Sequence, residues 1–130
     1  MPLGRKLAVE FVGTFFLVFT AGMATNPKIG AGTLAPLAIG AVLMVMAFAG
    51  GYISGGHLNP AVSTAVLVRG RMATNEWMPY VVSQLLAASL VGLLARGLNG
   101  GESVDATAST WKMLPTEKVS GAIEAARASG

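Results

Sequence analysis

The sequence has 130 residues, of which 53% are hydrophobic and 12% are charged, and its mean hydropathy is +0.63. This composition is typical of a membrane protein. The formal net charge is only +3, and the basic residues concentrate beside apolar runs, where topology signals are expected, so we exclude binding to nucleic acid. The absence of cysteine from the sequence excludes disulfides and thiolate chemistry.

The first apolar run extends from Leu7 to Ala24 and is interrupted only by Glu10. Its length is close to the ~20 helical residues that cross a hydrocarbon core. The alternative is a secretory signal peptide, because Arg5 and Lys6 precede the run and residues 22–24 loosely resemble a cleavage site. An acidic residue inside the run and two further apolar runs downstream favour a retained transmembrane helix.

Two more runs are long enough to span a membrane: Leu34–Tyr52, where Pro36 is tolerable in the first turn, and Trp77–Leu98. Between them lies Pro60–Val68, which at 1.5 Å per residue reaches only about 14 Å, roughly half the bilayer. This short helix can enter the membrane but cannot cross it. The sequence therefore predicts an all-α membrane protein with three transmembrane helices and one re-entrant half-helix.

The start of the short helix is the most informative part of the sequence. Asn59 is a strong N-cap, Pro60 fits the first helical position, and the preceding glycines permit irregular backbone. A helix N-terminus at mid-membrane carries positive partial charge, so it repels cations and tolerates a neutral hydrogen-bonding solute. The Asn59 amide is expected to donate to such a solute, and backbone carbonyls are expected to accept from it. The candidate pore residues are Gly55, Gly56, His57, Leu58 and Asn59, with Pro60 and Ala61 in structural roles.

Two segments resemble signatures of a known family. Residues 10–15 (Glu-Phe-Val-Gly-Thr-Phe) resemble the first-helix signature of the aquaporins, members of the major intrinsic protein family. Residues 53–63 (Ile-Ser-Gly-Gly-His-Leu-Asn-Pro-Ala-Val-Ser) resemble the first Asn-Pro-Ala loop of that family. The resemblance covers roughly residues 5–97 and corresponds to the N-terminal half of an aquaporin. It implies half of an inverted-repeat fold, in which each repeat supplies three spans and one half-helix.

The resemblance implies a channel for water or small neutral solutes such as glycerol, completed by assembly with a second half. The alternative is a truncated, non-conducting half that only associates with itself or with a full-length relative. An intramembrane enzyme is disfavoured, because the sequence shows no convergent set of nucleophile, base and metal ligands. The expected partners are the lipid bilayer, water or a small neutral solute, and a second copy or another chain that supplies the second repeat; no cofactor is expected.

Three residues carry more specific expectations. Ile39 lies twenty residues before Asn59, where many family members place an aromatic filter residue, so strict selectivity for water is in doubt. Glu10 is expected to brace the loops by hydrogen bonding, as in the family, with a proton relay as the alternative. His57 is expected to be a structural residue bonded to neighbouring backbone, since the sequence shows no ligand cluster for a metal.

Small residues predict where the helices make close contact. In the third span the predicted contact face consists of three residues spaced four apart and of small residues beside them. In the first two spans, glycine and alanine residues are predicted to allow close helix crossings. These positions are Gln84, Ala88 and Gly92 with Ser83, Ala87 and Ala95; Gly13; and Gly40, Ala47 and Gly51.

Charge and composition predict topology and organisation. Arg5 and Lys6 precede the first span, and Arg69 and Arg71 follow the half-helix. Two of the three spans lie between these pairs, so both pairs fall on one side, which the positive-inside rule makes cytoplasmic. We therefore expect an integral protein of the plasma membrane with a cytoplasmic N-terminus. Residues 1–98 are expected to form the membrane domain and residues 99–130 a polar, partly disordered tail.

Overall fold

The structure is a computed structural model that describes residues 1–26, 28, 30–98, 124, 127 and 128. The predicted polar tail, 99–130, lies almost entirely outside the described residues. The main described elements are helices, here named α1 to α4 in chain order, with a short 3-10 helix before the second. Their bounds are Leu3–Ala24 for α1, Gly32–Leu34 for the 3-10 helix, Ala35–Ser54 for α2, Pro60–Val68 for α3 and Thr74–Leu98 for α4.

Three of these helical segments are long and apolar enough to cross a membrane: α1, α2 together with its 3-10 turn, and α4. The protein is thus an all-helical integral membrane protein over its described part, as predicted. Helix α1 begins about one turn before the predicted start at Leu7, and α4 begins at Thr74 instead of Trp77. Polar residues can extend a spanning helix into the interface, because the helix satisfies its own backbone groups. Helix α3 has the predicted bounds.

Helix α1 packs against both α2 and α4, and the half-helix α3 packs against α4. Gly50 lets α2 approach α1, since a Cβ at this position would collide with the Val9 side chain. On the other side of α1, the Ser83 hydroxyl of α4 donates to the Leu7 carbonyl at 2.9 Å. Close backbone approach and an interhelical hydrogen bond are the contacts that hold helices together in lipid.

The small-residue prediction for α4 was wrong in part. Gln84, Ala87 and Ala95 are buried, but Gly92 is exposed and Ala88 is only half-buried. Each four-residue step advances a helix by about 40° beyond a full turn, so a strict four-residue series drifts off the contact face. The buried face of α4 instead follows steps of three and four residues through Tyr80, Gln84, Ala87, Val91 and Ala95.

The prediction for α2 was wrong for its contact with α1, although Gly51 and Ala47 do lie against the loop, with Cα atoms 3.3 Å and 3.8 Å from the position of a Cβ at Gly56. Gly40 and Ala47 are exposed, and a Cβ at Gly40 or Gly51 would meet nothing within 4 Å. The close approach uses Gly50, one residue from a predicted position. The sequence shows that α2 is rich in small residues, but which of them faces α1 depends on the orientation of α2 about its own axis.

Candidate pore site

The segment between α2 and α3 has an unusual backbone. Gly55 and Gly56 adopt φ values of 95° and 64°, and Leu58 adopts φ 51°. The left-handed region is open to glycine, but it costs a residue with a Cβ roughly 1–2 kcal/mol. The conformation of Leu58 must therefore be maintained by contacts from the rest of the fold.

Glu10 of α1 supplies the principal contacts. Its carboxylate is fully buried and accepts four hydrogen bonds. Oε1 accepts from the Ser54 hydroxyl at 2.7 Å and from the His57 backbone N–H at 2.9 Å. Oε2 accepts from the Leu58 backbone N–H at 2.6 Å and from Gln84 Nε2 at 2.8 Å. These four contacts join α1 to the end of α2, to the loop and to α4, as a brace requires; the role of Glu10 as a brace stays a prediction.

A second set of contacts joins the loop to α3 and α4. Ser63 of α3 is fully buried, and its hydroxyl oxygen lies 3.0 Å from both Gln84 Nε2 and His57 Nδ1. The expectation that the His57 imidazole bonds to neighbouring backbone was therefore wrong, because its partner is a side chain. Tyr80 of α4 adds a hydrogen bond of 2.8 Å from its hydroxyl to the Ser54 carbonyl at the end of α2.

Apolar packing fixes the remaining part of the loop. The Leu58 side chain is 1% exposed and lies against Gly13 of α1, where any Cβ would collide with its Cδ2 atom. The predicted close approach at Gly13 is thus observed, although the partner is the loop and not a helix. Buried apolar area at Leu58 offsets part of the cost of its left-handed backbone.

The start of α3 has the predicted capping geometry. Asn59 has extended backbone, and its Oδ1 accepts from the Ala61 N–H at 2.8 Å, with Pro60 at the first helical position. Asn59 is an exposed residue and its cap uses the amide oxygen, so the Nδ2 group remains as a donor. Farther along α3, the Thr64 hydroxyl donates to the Pro60 carbonyl at 2.8 Å and accepts from the Trp77 indole at 3.1 Å.

The backbone carbonyls before the cap are the second polar feature of this site. Among the described residues, none donates a hydrogen bond to the carbonyls of residues 55–58. They lie next to the N-terminus of α3, so acceptors and a positive helix end share one short segment. Ile39 lies in the first half of α2 and is half-buried; its place in a pore stays a prediction. No group of three potential metal ligands occurs within the part of the chain that the structure describes.

Comparison with known proteins places this arrangement in a family. Residues 37–124 match the family model described as "Major intrinsic protein", which covers more than half of the chain. The chain belongs to the major intrinsic protein family. It is 43% identical to Aquaporin Z of Brucella melitensis over 106 residues and 41% identical to Aquaporin Z of Photorhabdus laumondii over 115 residues. It is also 43% identical to Aquaporin TIP4-2 of Zea mays over 109 residues.

These matches cover most of this chain but only part of each relative. They include 74%, 81% and 75% of the chain, against 46%, 48% and 42% of the respective relatives. This major intrinsic protein chain therefore spans about half the length of the curated relatives it matches.

Sequence reasoning missed several residues that hold the loop of this major intrinsic protein. Ser54, Ser63 and Tyr80 were not among the predicted site residues, and Gln84 was assigned only to a packing face. A usable signal was present, since a buried glutamate in lipid requires several donors and these residues are polar within apolar helices. Ser54 and Gln84 bond to Glu10, Ser63 bonds to Gln84 and His57, and Tyr80 bonds to the end of α2. These contacts depend on how the helices pack, which no local pattern shows.

Proposed function

We propose that this chain forms part of a transmembrane channel for water or small neutral solutes, glycerol among them. The observation that carries the proposal is the row of carbonyls at residues 55–58, which accept no hydrogen bond from the described residues, beside the capped start of α3. Irregular backbone at membrane depth is tolerated only where it lines a water-filled cavity or is buried in protein. A pore provides the hydrogen-bond donors that these carbonyls lack within the described chain.

The chemistry of the site favours neutral solutes. The positive end of α3 opposes cations, including hydrated protons, while the Asn59 Nδ2 group donates and the loop carbonyls accept. A solute with both a donor and an acceptor can pass between them. The relatives named aquaporin support water as a substrate, and an aliphatic residue at Ile39 supports a wider filter that also admits glycerol.

We propose that a second copy of this chain, or another chain that carries the second repeat, completes the pore. This chain supplies one half-helix, which begins after the loop at Asn59. The barrier to cations at the middle of the membrane in this family is formed by two half-helices. The competing function is a non-conducting half, in which the same polar face is covered by protein instead of water. The two functions differ in one measurable property, which is solute permeation into vesicles that hold this chain alone or together with a chain that carries the second repeat.

For location, we propose the plasma membrane with the N-terminus on the cytoplasmic side. Lys6 Nζ lies 2.9 Å from Glu76 Oε1, so the start of α1 and the start of α4 share one end of the bundle. Arg5, Arg69 and Arg71 belong to the same two chain regions, which concentrates basic residues at this end. The positive-inside rule assigns such an end to the cytoplasm.

The test is osmotic shrinkage of proteoliposomes that contain only this chain. Light scattering monitors the shrinkage, with water and with glycerol as the permeant. Asn59→Asp keeps a side-chain oxygen for the Ala61 N–H but removes the Nδ2 donor and adds negative charge at the helix end. We expect water permeability to fall severalfold and cation leak to rise. Asn75→Asp makes the same chemical change at an exposed residue of the first turn of α4 and should leave both rates unchanged.

Shrinkage equal to that of empty vesicles would refute a pore made by this chain alone. Co-reconstitution with a chain that carries the second repeat then separates the remaining two functions. Restored permeation supports the two-part channel, and permeation that stays at the level of empty vesicles supports the non-conducting half. Equal rates for the wild type and Asn59→Asp would contradict the assigned role of the capped helix end.

A further inference from the structure

The hydrogen bonds around Ser63 have a direction, which can be assigned starting from Glu10. Glu10 Oε2 accepts from the Leu58 N–H, so it is an acceptor, and the Gln84 atom 2.8 Å from it must be the amide nitrogen. This contact determines the orientation of the Gln84 amide. The second hydrogen of the same nitrogen is directed to the Ser63 hydroxyl oxygen at 3.0 Å.

Ser63 then has one hydrogen left to donate and two possible acceptors. His57 Nδ1 lies at 3.0 Å, whereas Gln84 Oε1 lies at 3.4 Å and belongs to the amide that already donates to Ser63. Hydrogen bonds from a hydroxyl are usually 2.5–3.0 Å long, so the shorter contact is the better one. The hydroxyl of Ser63 is thus best satisfied by donating to His57, which requires an unprotonated Nδ1.

We infer that Ser63 is a positioning residue that holds His57 as the neutral tautomer with its hydrogen on Nε2, and that this N–H is a donor to water or solute at the loop. The Nε2 atom lies beside Gly55, an exposed residue, at 3.1 Å from the position of a Cβ there. Within the described residues it has no hydrogen-bond partner. The imidazole therefore adds a donor next to the carbonyl acceptors of the same loop.

This inference concerns the state of one side chain, so its test does not depend on conduction. The 130-residue sequence contains a single histidine, and ¹⁵N-histidine labelling of the full chain in lipid nanodiscs reports on His57 alone. At pH 9, where imidazoles are neutral, protonated and unprotonated ring nitrogens have well-separated ¹⁵N shifts. We expect hydrogen on Nε2, an unprotonated Nδ1, and magnetisation transfer from water to the Nε2 hydrogen. A spectrum with hydrogen on Nδ1, or an Nε2 hydrogen that does not exchange with water, would overturn the inference.

Substitutions assign the effect to Ser63. Ser63→Ala removes the donor to Nδ1, and the ratio of the two tautomers should shift toward Nδ1–H by about fivefold, the factor that an ordinary neutral hydrogen bond supports. Ser63→Thr retains a hydroxyl and should restore the wild-type ratio. The matched control is Thr64→Val, which removes the neighbouring hydroxyl of α3, whose described contacts are with Pro60 and Trp77. An unchanged ratio in Ser63→Ala, or an equal change in Thr64→Val, would refute the role of Ser63.

Discussion

The buried Glu10 carboxylate allows a sharp test of how the loop is maintained. Glu10→Gln preserves size and shape but replaces one acceptor oxygen with an NH₂ donor. Each carboxylate oxygen accepts two hydrogen bonds, so either orientation of the new amide directs its NH₂ group at two existing donors. With NH₂ at the Oε1 position, the Ser54 hydroxyl can turn to accept, but the His57 backbone N–H loses its acceptor.

The expected cost follows from these contacts. A hydrogen bond to a charged group contributes about 1.5–3 kcal/mol and a neutral one about 1 kcal/mol, so one lost bond and the weakening of the others amount to several kcal/mol. The neutral amide recovers part of this energy because it is easier to desolvate than a carboxylate. We expect the free energy of unfolding to fall by about 3 kcal/mol, which corresponds to more than a hundredfold in the unfolding equilibrium.

The measurement is reversible unfolding of the purified chain in mixed micelles, followed by circular dichroism as the denaturing detergent is increased. Glu76→Gln is the matched control, because Glu76 is also a glutamate bound to another helix but its pair with Lys6 is partly exposed. Such pairs contribute at most about 1 kcal/mol. If Glu10→Gln destabilises the protein no more than Glu76→Gln does, the loop is not maintained by the carboxylate and the reasoning fails.

Two further substitutions test the packing around the loop. Gly50→Ala should reduce the free energy of unfolding by about 1–3 kcal/mol in the same assay, because the new Cβ collides with Val9. The control Gly51→Ala, whose new Cβ would have nothing within 4 Å, should change this free energy by less than about 0.5 kcal/mol. Equal effects of the two substitutions would contradict the close approach of α1 and α2. Tyr80→Phe removes the donor to the last carbonyl of α2 and should lower the free energy of unfolding by about 1–2 kcal/mol. The control Tyr52→Phe, at a side chain that is 77% exposed, should leave this free energy unchanged. No change in Tyr80→Phe would show that water replaces the lost hydrogen bond.

The elements of this fold were predictable because the membrane imposes simple constraints along the chain. Hydrocarbon thickness selects apolar runs of about 20 residues, and backbone groups in lipid must bond within their own helix. Both constraints can be evaluated on Leu7–Ala24 or Pro60–Val68 without knowledge of any other segment. The Asn59 cap was predictable for the same reason, since its acceptor oxygen and the Ala61 N–H are two residues apart.

The contacts of Glu10 were not predictable in this way. Its partners Ser54 and Gln84 are 44 and 74 residues away in the chain, and they meet only when α1 lies between α2 and α4. The choice of Gly50 over Gly51 has the same origin, because adjacent residues of a helix differ by about 100° in direction. A resemblance to the family indicated that Glu10 braces the loops, but it did not supply the residues that complete the network.

Segment length and local chemistry thus determine that this chain is an integral membrane protein, whose described part has three spans, one half-helix and a capped helix start at Asn59. They also suffice for family membership, because the Asn-Pro-Ala loop and the first-helix signature are contiguous strings. The left-handed backbone at Leu58 and the state of His57 depend on packing. The loop alone cannot maintain either feature, because both need groups from other elements. The backbone at Leu58 needs the Glu10 carboxylate and the space at Gly13, and the state of His57 needs the Ser63 hydroxyl.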